Sequence, residues 1–292
     1  MAPAHRGGNK GKDRAKMATT TRQGSAEVIP IETSAAAVRR SLRMELAALM
    51  AGRPDADSDR GQNEATLRAG LLQVLRQTLN QGHQAIRLRF EAGEGGAACV
   101  RQNCALIDEM LKALAEFITT QVFPSAGPTL GEDFDLSATG GYGRGELAPH
   151  SDIDLLFLLP YKRTARVEQV VEYMLYILWD LGLKVGHAVR SFDDCLRQAK
   201  ADLTIRTSIL ECRLLCGRGE LYTDFKRRFV RDIVATTGPA YVVAKLGERD
   251  ERHQRLGDSR YVLEPNVKEG KGGLRDLHTL YWIAKYLYQV DE

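Results

Sequence analysis

Two aspartates spaced two residues apart, Asp152 and Asp154, head the apolar run Asp152-Ile153-Asp154-Leu155-Leu156-Phe157-Leu158-Leu159. Side chains alternate faces along a strand, so both carboxylates project from one face if this run is extended. Such a pair offers the hard oxygen ligands that Mg²⁺ requires and leaves coordination positions for water and phosphate oxygens. Upstream, the alternation from Phe134 to Ala138 predicts a short strand that runs into Gly140, Gly141, Gly143 and Gly145 before Pro149. Glycines at that junction let backbone approach a bulky anion, and amides of a following helical turn can point at phosphate oxygens. A phosphate cradle beside paired carboxylates implies nucleotidyl transfer.

The spacing of Gly140-Gly141 to Asp152-x-Asp154 resembles the active-site signature of the polymerase-β-like nucleotidyltransferases. Gly-Gly-Tyr-Gly-Arg-Gly-Glu-Leu at 140–147, followed by Ser-Asp-Ile-Asp-Leu-Leu at 151–156, is similar in particular to the family of uridylyltransferases that modify the nitrogen-regulatory PII protein. A second block, Asn266-Val-Lys-Glu-Gly-Lys-Gly-Gly-Leu-Arg-Asp-Leu-His-Thr-Leu280, resembles another signature of that family. The resemblance runs from about Leu67 to the C-terminus and is weakest before Phe134. It implies an α+β fold: a polymerase-β-like core, a small mixed sheet with helices, flanked by helical segments. The activity it implies is transfer of UMP from UTP to a tyrosine of PII, with release of pyrophosphate, in nitrogen-status signalling.

By the same resemblance, Asp152 and Asp154 are catalytic and hold two Mg²⁺ ions, and Gly140, Gly141, Gly143, Arg144, Ser151, Lys268, Lys271 and Arg275 contact the nucleotide. The Lys268 to Arg275 stretch is expected to fold over the triphosphate as a glycine-jointed lid, or else to be a glycine-rich entry to a helix. The superfamily commonly draws a third carboxylate from a neighbouring strand. Leu183 to Ser191 predicts such a strand, yet it presents Gly186 and His187 there. His187 is then either a general base or nucleotide contact, or a hydrogen-bonded structural histidine. Asp180, Asp193, Asp194 and Glu211 are possible substitute acids. Arg206 and Arg213 either face the nucleotide or lie on a helix surface. Nothing in the cradle distinguishes uracil from adenine, so adenylylation of a protein, modification of a small hydroxylated substrate, and a non-catalytic nucleotide-binding regulatory module stay open as alternatives.

Competing phosphate motifs fit less well. Gly143-Arg-Gly-Glu-Leu-Ala148 matches a loose dinucleotide pattern, but no second βαβ strand ending in a ribose-binding acid follows. Neither Gly11-Lys12 nor Gly270-Lys271 completes a Walker loop.

With 292 residues, 43% of them hydrophobic and 27% charged, the chain has the composition of a globular protein large enough for one big core or two smaller ones. A net charge of +3, concentrated in the first residues, carries no nucleic-acid signature. Five cysteines, an odd number, fit a reducing cytoplasm, and no apolar run has the length needed to cross a bilayer. The expected organisation is a disordered basic tail and linker over 1–60, a helical region over 61–125, the nucleotidyltransferase core over 126–217, and a second helical region with the glycine-rich Lys/Arg loop over 218–292. Helices are expected at Ser34–Met50, around the Leu67–Leu79 stripe, and at Cys99–Val122, Thr164–Leu181, Asp202–Cys216, Glu220–Ala235, Ala240–Leu256 and Leu277–Tyr288. The family resemblance also implies a longer enzyme with HD hydrolase and ACT sensory domains. No histidine here is followed by aspartate, so both are expected to be absent from this chain, a truncated transferase portion.

Overall fold

A small sheet divides the chain between two helical layers. The computed structural model describes residues 35–52, 60–125, 133–161, 163–259, 261 and 263–289, and the expected basic tail and most of the expected linker lie outside them. In chain order the elements are α1 (Ala35–Ala51), α2 (Arg60–Glu91), α3 (Gly96–Phe117) with a π-helical turn at Ile118–Val122, β1 (Asp135–Ala138), the single turn α4 (Gly140–Gly143), β2 (Ile153–Leu159) and α5 (Ala165–Asp180). Then come β3 (Val185–Ser191), α6 (Phe192–Ala201), α7 (Leu203–Leu210), β4 (Arg213–Cys216), α8 (Glu220–Phe229), a π-helical turn at Val230–Val234, α9 (Ala235–Arg255) and α10 (Leu274–Tyr288). The strands form one mixed sheet in the order β3-β2-β1-β4, with β2 parallel to β3 and the other two pairings antiparallel. The fold is α+β with a small mixed sheet.

β2 is apolar on both faces because both are covered. Ile153, Leu155, Phe157 and Leu159 join a core built with α1, α2, α3 and α5, while Leu156 and Leu158 join a second core built with α6 to α10. Strand alternation therefore assigns Asp154, like Leu156 and Leu158, to the side of the C-terminal helices. The helical stripes are those expected: Leu67, Leu71, Leu75 and Leu79 of α2 are buried, as are Val167, Val170, Val171, Met174 and Leu178 of α5. Thr164 caps α5 by accepting from the Val167 amide at 3.3 Å.

Two expected helix boundaries are corrected. The helix predicted over Asp202–Cys216 stops at Leu210, and Arg213–Cys216 is an edge strand antiparallel to β1, so Cys212 and Cys216 are not one helical turn apart. A four-residue stretch has no period to separate the two states, and the open side of β1 decides between them. Conversely, the break predicted between Ala235 and Ala240 does not occur. α9 runs through Pro239, and the next turn is fixed by packing: Tyr241 is fully buried, stacks on Tyr286 with centroids 3.8 Å apart, and shares a 3.1 Å hydrogen bond with Thr207.

Asp135, 2% exposed, fastens β1 to α8: its Oδ1 accepts from the Gly219 amide at 3.0 Å and its Oδ2 from the Tyr222 amide at 2.8 Å. Both donors lie at a helix N-terminus, where amides lack intrahelical acceptors. Asp135→Ala orphans both and is expected to destabilise the fold by about 2 kcal/mol, read from the urea midpoint. An unchanged midpoint contradicts this role.

Candidate active site

The glycine turn between β1 and β2 is held on three sides. The Thr139 amide donates to the Asp154 carbonyl at 2.9 Å, tying the turn to β2. Tyr142, 1% exposed, donates its hydroxyl to Asp108 of α3 at 2.6 Å, and Arg213 of β4 grips the same carboxylate at 2.7 Å. Burial and the Asp108 charge push the Tyr142 hydroxyl far above its ordinary pKa, so it serves as an anchor and stays protonated. Finally, Arg144 donates to Glu211 at 2.5 Å. Within α4 the amides of Gly143 and Arg144 bond to Thr139 and Gly140, whereas the first-turn amides of Gly140, Gly141 and Tyr142 precede any intrahelical acceptor.

Asp154 lies in a slot that glycines make. Gly140 has φ +59°, and a Cβ there would sit 3.0 Å from Oδ2 of Asp154; a Cβ on Gly186, which pairs with Asp154 across β3, would overlap Oδ1. Asp152 stands exposed one strand repeat earlier. Burial first, and the Asp152 charge second, raise the Asp154 pKa, and no hydrogen bond or cation offsets them. Two uncompensated hard-oxygen carboxylates on one strand end fit a Mg²⁺ site completed by water and phosphate oxygens. Among the described residues no group of three or more His, Cys, Asp or Glu could hold a metal. Ser151 is exposed in the turn that delivers Asp152, its amide bonded to Ala148 at 3.1 Å.

Gly143, expected to contact nucleotide, has a packing reason for being glycine, since a Cβ there would overlap the Glu211 carbonyl. His187 is corrected as a candidate base. It pairs with Leu155, one residue out of phase with Asp154, and its ring lies 6.1 Å from that of Trp179 on α5, across the sheet from the carboxylates. The possible third acids have other partners: Asp180 pairs with Arg68, Asp194 accepts from the hydroxyl of Ser191, the N-cap of α6, and pairs with Arg197, and Glu211 takes Arg144. Asp193, in the first turn of α6, is exposed. Arg206 donates to the carbonyls of Ala199 and Lys200, and Arg213 to Asp108, so neither faces the turn with a free charge.

The second motif block meets the first. Glu211, its side chain 2% exposed, accepts from both Arg144 and the Trp282 indole of α10, each at 2.5 Å. One turn earlier on α10, His278 Nε2 is 3.4 Å from Arg144 Nη2. Burial first, then the charges of Arg144 and Arg275, depress the His278 pKa to about 4, with Lys268 adding to them and Glu146 opposing. His278 is therefore neutral at pH 7, accepts from Arg144 at Nε2 and carries its proton on Nδ1, which is buried with no partner among the described residues. Arg275 pairs with Glu269 at 3.1 Å and lies over Trp282 at 5.7 Å. Lys271 is drawn elsewhere, to Asp258 at 2.7 Å.

The 266–273 loop is not a free lid. The Asn266 side chain accepts from the amides of Lys268 and Glu269, Asp276 accepts from Gly272 at 2.7 Å, and Arg252 and His253 of α9 bind the same Asp276. It is the tightly bonded helix entry. From the sequence Glu211 reads only as a possible third acid, and Trp282 and His278 carry no role. Their signal was the spacing 275, 278, 282, which puts one cation, one imidazole and one indole on a single helical face.

Two outcomes are expected. Gly186→Ala forces a methyl into the Asp154 carboxylate and is expected to cost about 1–3 kcal/mol of stability in urea denaturation, as overpacking does; a neutral substitution removes the slot. For His278, the folded pKa of about 4 lies below the unfolded value of 6.5, so its contribution to stability is present above pH 6.5 and is lost as pH falls toward 4. His278→Gln should therefore flatten the melting-temperature profile between pH 6.5 and 4; parallel profiles contradict the burial of a neutral imidazole.

Two protein-family models match the chain: the nucleotidyltransferase domain over residues 127–216 and the GlnD PII-uridylyltransferase family over residues 240–292. Similar curated relatives are bifunctional uridylyltransferase/uridylyl-removing enzymes. That of Azospirillum brasilense is 62% identical over 254 residues, 87% of this chain and 26% of the relative; that of Rhodospirillum rubrum is 58% identical over 226 residues, 77% of this chain and 24% of the relative. The enzyme of Caulobacter vibrioides is 55% identical over 229 residues, 78% of this chain and 24% of the relative. The chain thus spans about a quarter of the length of the relatives it matches. Nucleotidyltransferase domains generally use divalent metal ions. No helix among the described residues is long and apolar enough to cross a membrane. Glycine turn, Asp-x-Asp pair and family matches coincide in sequence, and the chain is a homologue of part of the bifunctional uridylyltransferase/uridylyl-removing enzymes, carrying their nucleotidyltransferase domain.

Proposed function

We propose that the chain transfers UMP from UTP to a tyrosine of the PII protein, as the names of its relatives and of the matching family suggest. The observation that carries the catalytic part is the seat of Asp154 between Gly140 and Gly186, beside Asp152 and one turn away from Arg144. Asp152 and Asp154 would hold two Mg²⁺ ions, which when bound supply Lewis-acid polarisation of the phosphates and of the attacking hydroxyl. The chain's own groups do the rest. First-turn amides of Gly140 and Gly141 and the Nη2 edge of Arg144 take phosphate oxygens, with Lys268 and Arg275 adding positive charge from the second block. Ser151, beside the carboxylates, contacts the same nucleotide. Lys271, tied to Asp258, has no part in this set. Because Glu211 neutralises much of Arg144, the arginine orients phosphate more than it attracts it.

The tyrosine oxygen forms its bond to the α-phosphorus as the bond to pyrophosphate breaks, and the tyrosine proton is released to solvent. Domain limits follow the same reading: a core over 126–217, helical flanks over 61–125 and 218–292, and a tail and linker before residue 61. The chain works in the cytoplasm.

Intact-mass analysis of PII after incubation with this chain, UTP and Mg²⁺ tests the proposal, with Asp152→Ala/Asp154→Ala alongside. A mass gain of one uridylyl group is expected with the unmodified chain. The variant should be slower by about a thousandfold, roughly 4 kcal/mol of transition-state stabilisation. Equal turnover by the variant, or a gain of an adenylyl group with ATP in place of UTP, rejects it.

A further inference from the structure

We propose that the outer edge of β3 is the docking edge for an extended, acidic segment of the acceptor protein, which pairs as a further strand and delivers its hydroxyl to Asp152 and Asp154. This rests on the proposed transfer to a protein hydroxyl.

β3 ends the sheet, so among the described residues its outward backbone groups face no other strand. Which residues point outward follows from two bonds. The Lys184 carbonyl accepts from the Ile153 amide of β2, so even-numbered positions face inward, and the Val189 carbonyl accepts from the Arg163 guanidinium at 2.9 Å, so odd-numbered ones face outward. Arg163 therefore closes the edge at Val189 and leaves the rungs at Val185 and His187 open, on either side of Gly186. Gly186 is the residue paired with Asp154 and the one whose missing side chain exposes Oδ1. A strand added outside β3 lies about 10 Å from β2, two strand spacings away, and a side chain as long as tyrosine passes over Gly186 to the carboxylates without meeting another side chain of β3.

The chemistry of the edge selects the occupant. A cleft of about 400 Å³ runs along it, lined by Arg163, His187, Arg190, Asp194 and Arg197 among others. Asp194 is taken by Arg197, whereas among the described residues neither Arg163 nor Arg190 has a carboxylate at ion-pair distance. Asp194 also feels Arg163, yet three guanidiniums, Arg163, Arg190 and Arg197, share that one carboxylate at the end of the open rungs, and the excess favours an acidic strand over a neutral or basic one. Exposed His187, out of place as a base, lines this cleft.

The test is Arg163→Glu/Arg190→Glu in the full chain, with Arg190→Lys as the charge-preserving control and circular dichroism melting to establish folding. Steady-state transfer to PII is measured together with direct binding of PII and of UTP with Mg²⁺ by calorimetry. The acceptor KM and its dissociation constant are expected to rise at least tenfold, with kcat and UTP affinity close to unchanged and Arg190→Lys near the unmodified chain. Unchanged acceptor affinity in a folded double variant overturns the proposal. So does an equal loss of UTP affinity, which assigns the arginines to the nucleotide, and so does charge-dependent binding of single-stranded RNA without an effect on PII, which assigns the edge to nucleic acid. If the unmodified chain binds PII through these arginines but transfers nothing, the docking edge stands and the transferase reading fails.

Discussion

A carboxylate buried as deeply as that of Glu211 has to be paired, because an uncompensated charge in a protein interior costs several kcal/mol. Its partners come from distant parts of the sequence: Arg144 from the glycine turn and the Trp282 indole from the last helix. That single requirement welds the second motif block to the first. Beside it, the last carbonyls of α7 receive the Lys226 ammonium, and the Glu211 backbone carbonyl leaves Gly143 no room for a side chain. Arg144 is fixed in consequence: one nitrogen belongs to Glu211 and another lies against His278.

The remaining contacts divide by the same logic. On the opposite side of the turn, Asp108 neutralises Arg213 and takes the Tyr142 hydroxyl, so the glycine segment is clamped between two buried ion pairs and has little freedom of its own. The glycines of this site act chiefly through the space they leave, for a carboxylate at Gly140 and Gly186 and for a backbone carbonyl at Gly143. A turn so clamped presents its first amides in a fixed direction, which is what preorganised binding of a phosphate requires.

The part of this that was legible in the sequence is the part written in local chemistry. Asp-x-Asp on an apolar strand, glycines after a short strand, and leucines at helical spacing on α2 and α5 each carry a period or a spacing of their own. The sheet edges do not. Arg213–Cys216 is too short to show a period, and it became a strand because β1 offered an open side. The break expected between Ala235 and Ala240 is overridden by the stacking of Tyr241 on Tyr286. His187 sits one residue from the position paired with Asp154, and in a strand one residue is the whole thickness of the sheet. Likewise the loop at 266–273 reads as flexible from its glycines alone, since the bonds that fix it come from Asp276, Arg252 and His253, the arginine and histidine contributed by a helix that precedes it.

Charge is arranged across the turn in two unlike walls, one left unpaired by the protein and the other largely met by Glu211 and Glu269. On the β2 side, Asp152 and Asp154 repel each other and no cation relieves them. On the α10 side, Arg144, Lys268 and Arg275 crowd an imidazole whose pKa is lowered first by burial and then by their charges. Moving the walls together would not settle the matter, because Gly140 and Gly141 stand between them and Glu211 already holds the arginine back. In the proposed reading, a nucleoside triphosphate with its divalent cation would bring metal-bound oxygens to the first wall and phosphate oxygens to the second. A neutral His278 fits that occupant better than a protonated one: it leaves Arg144 in place, where a second positive charge 3.4 Å away would displace it.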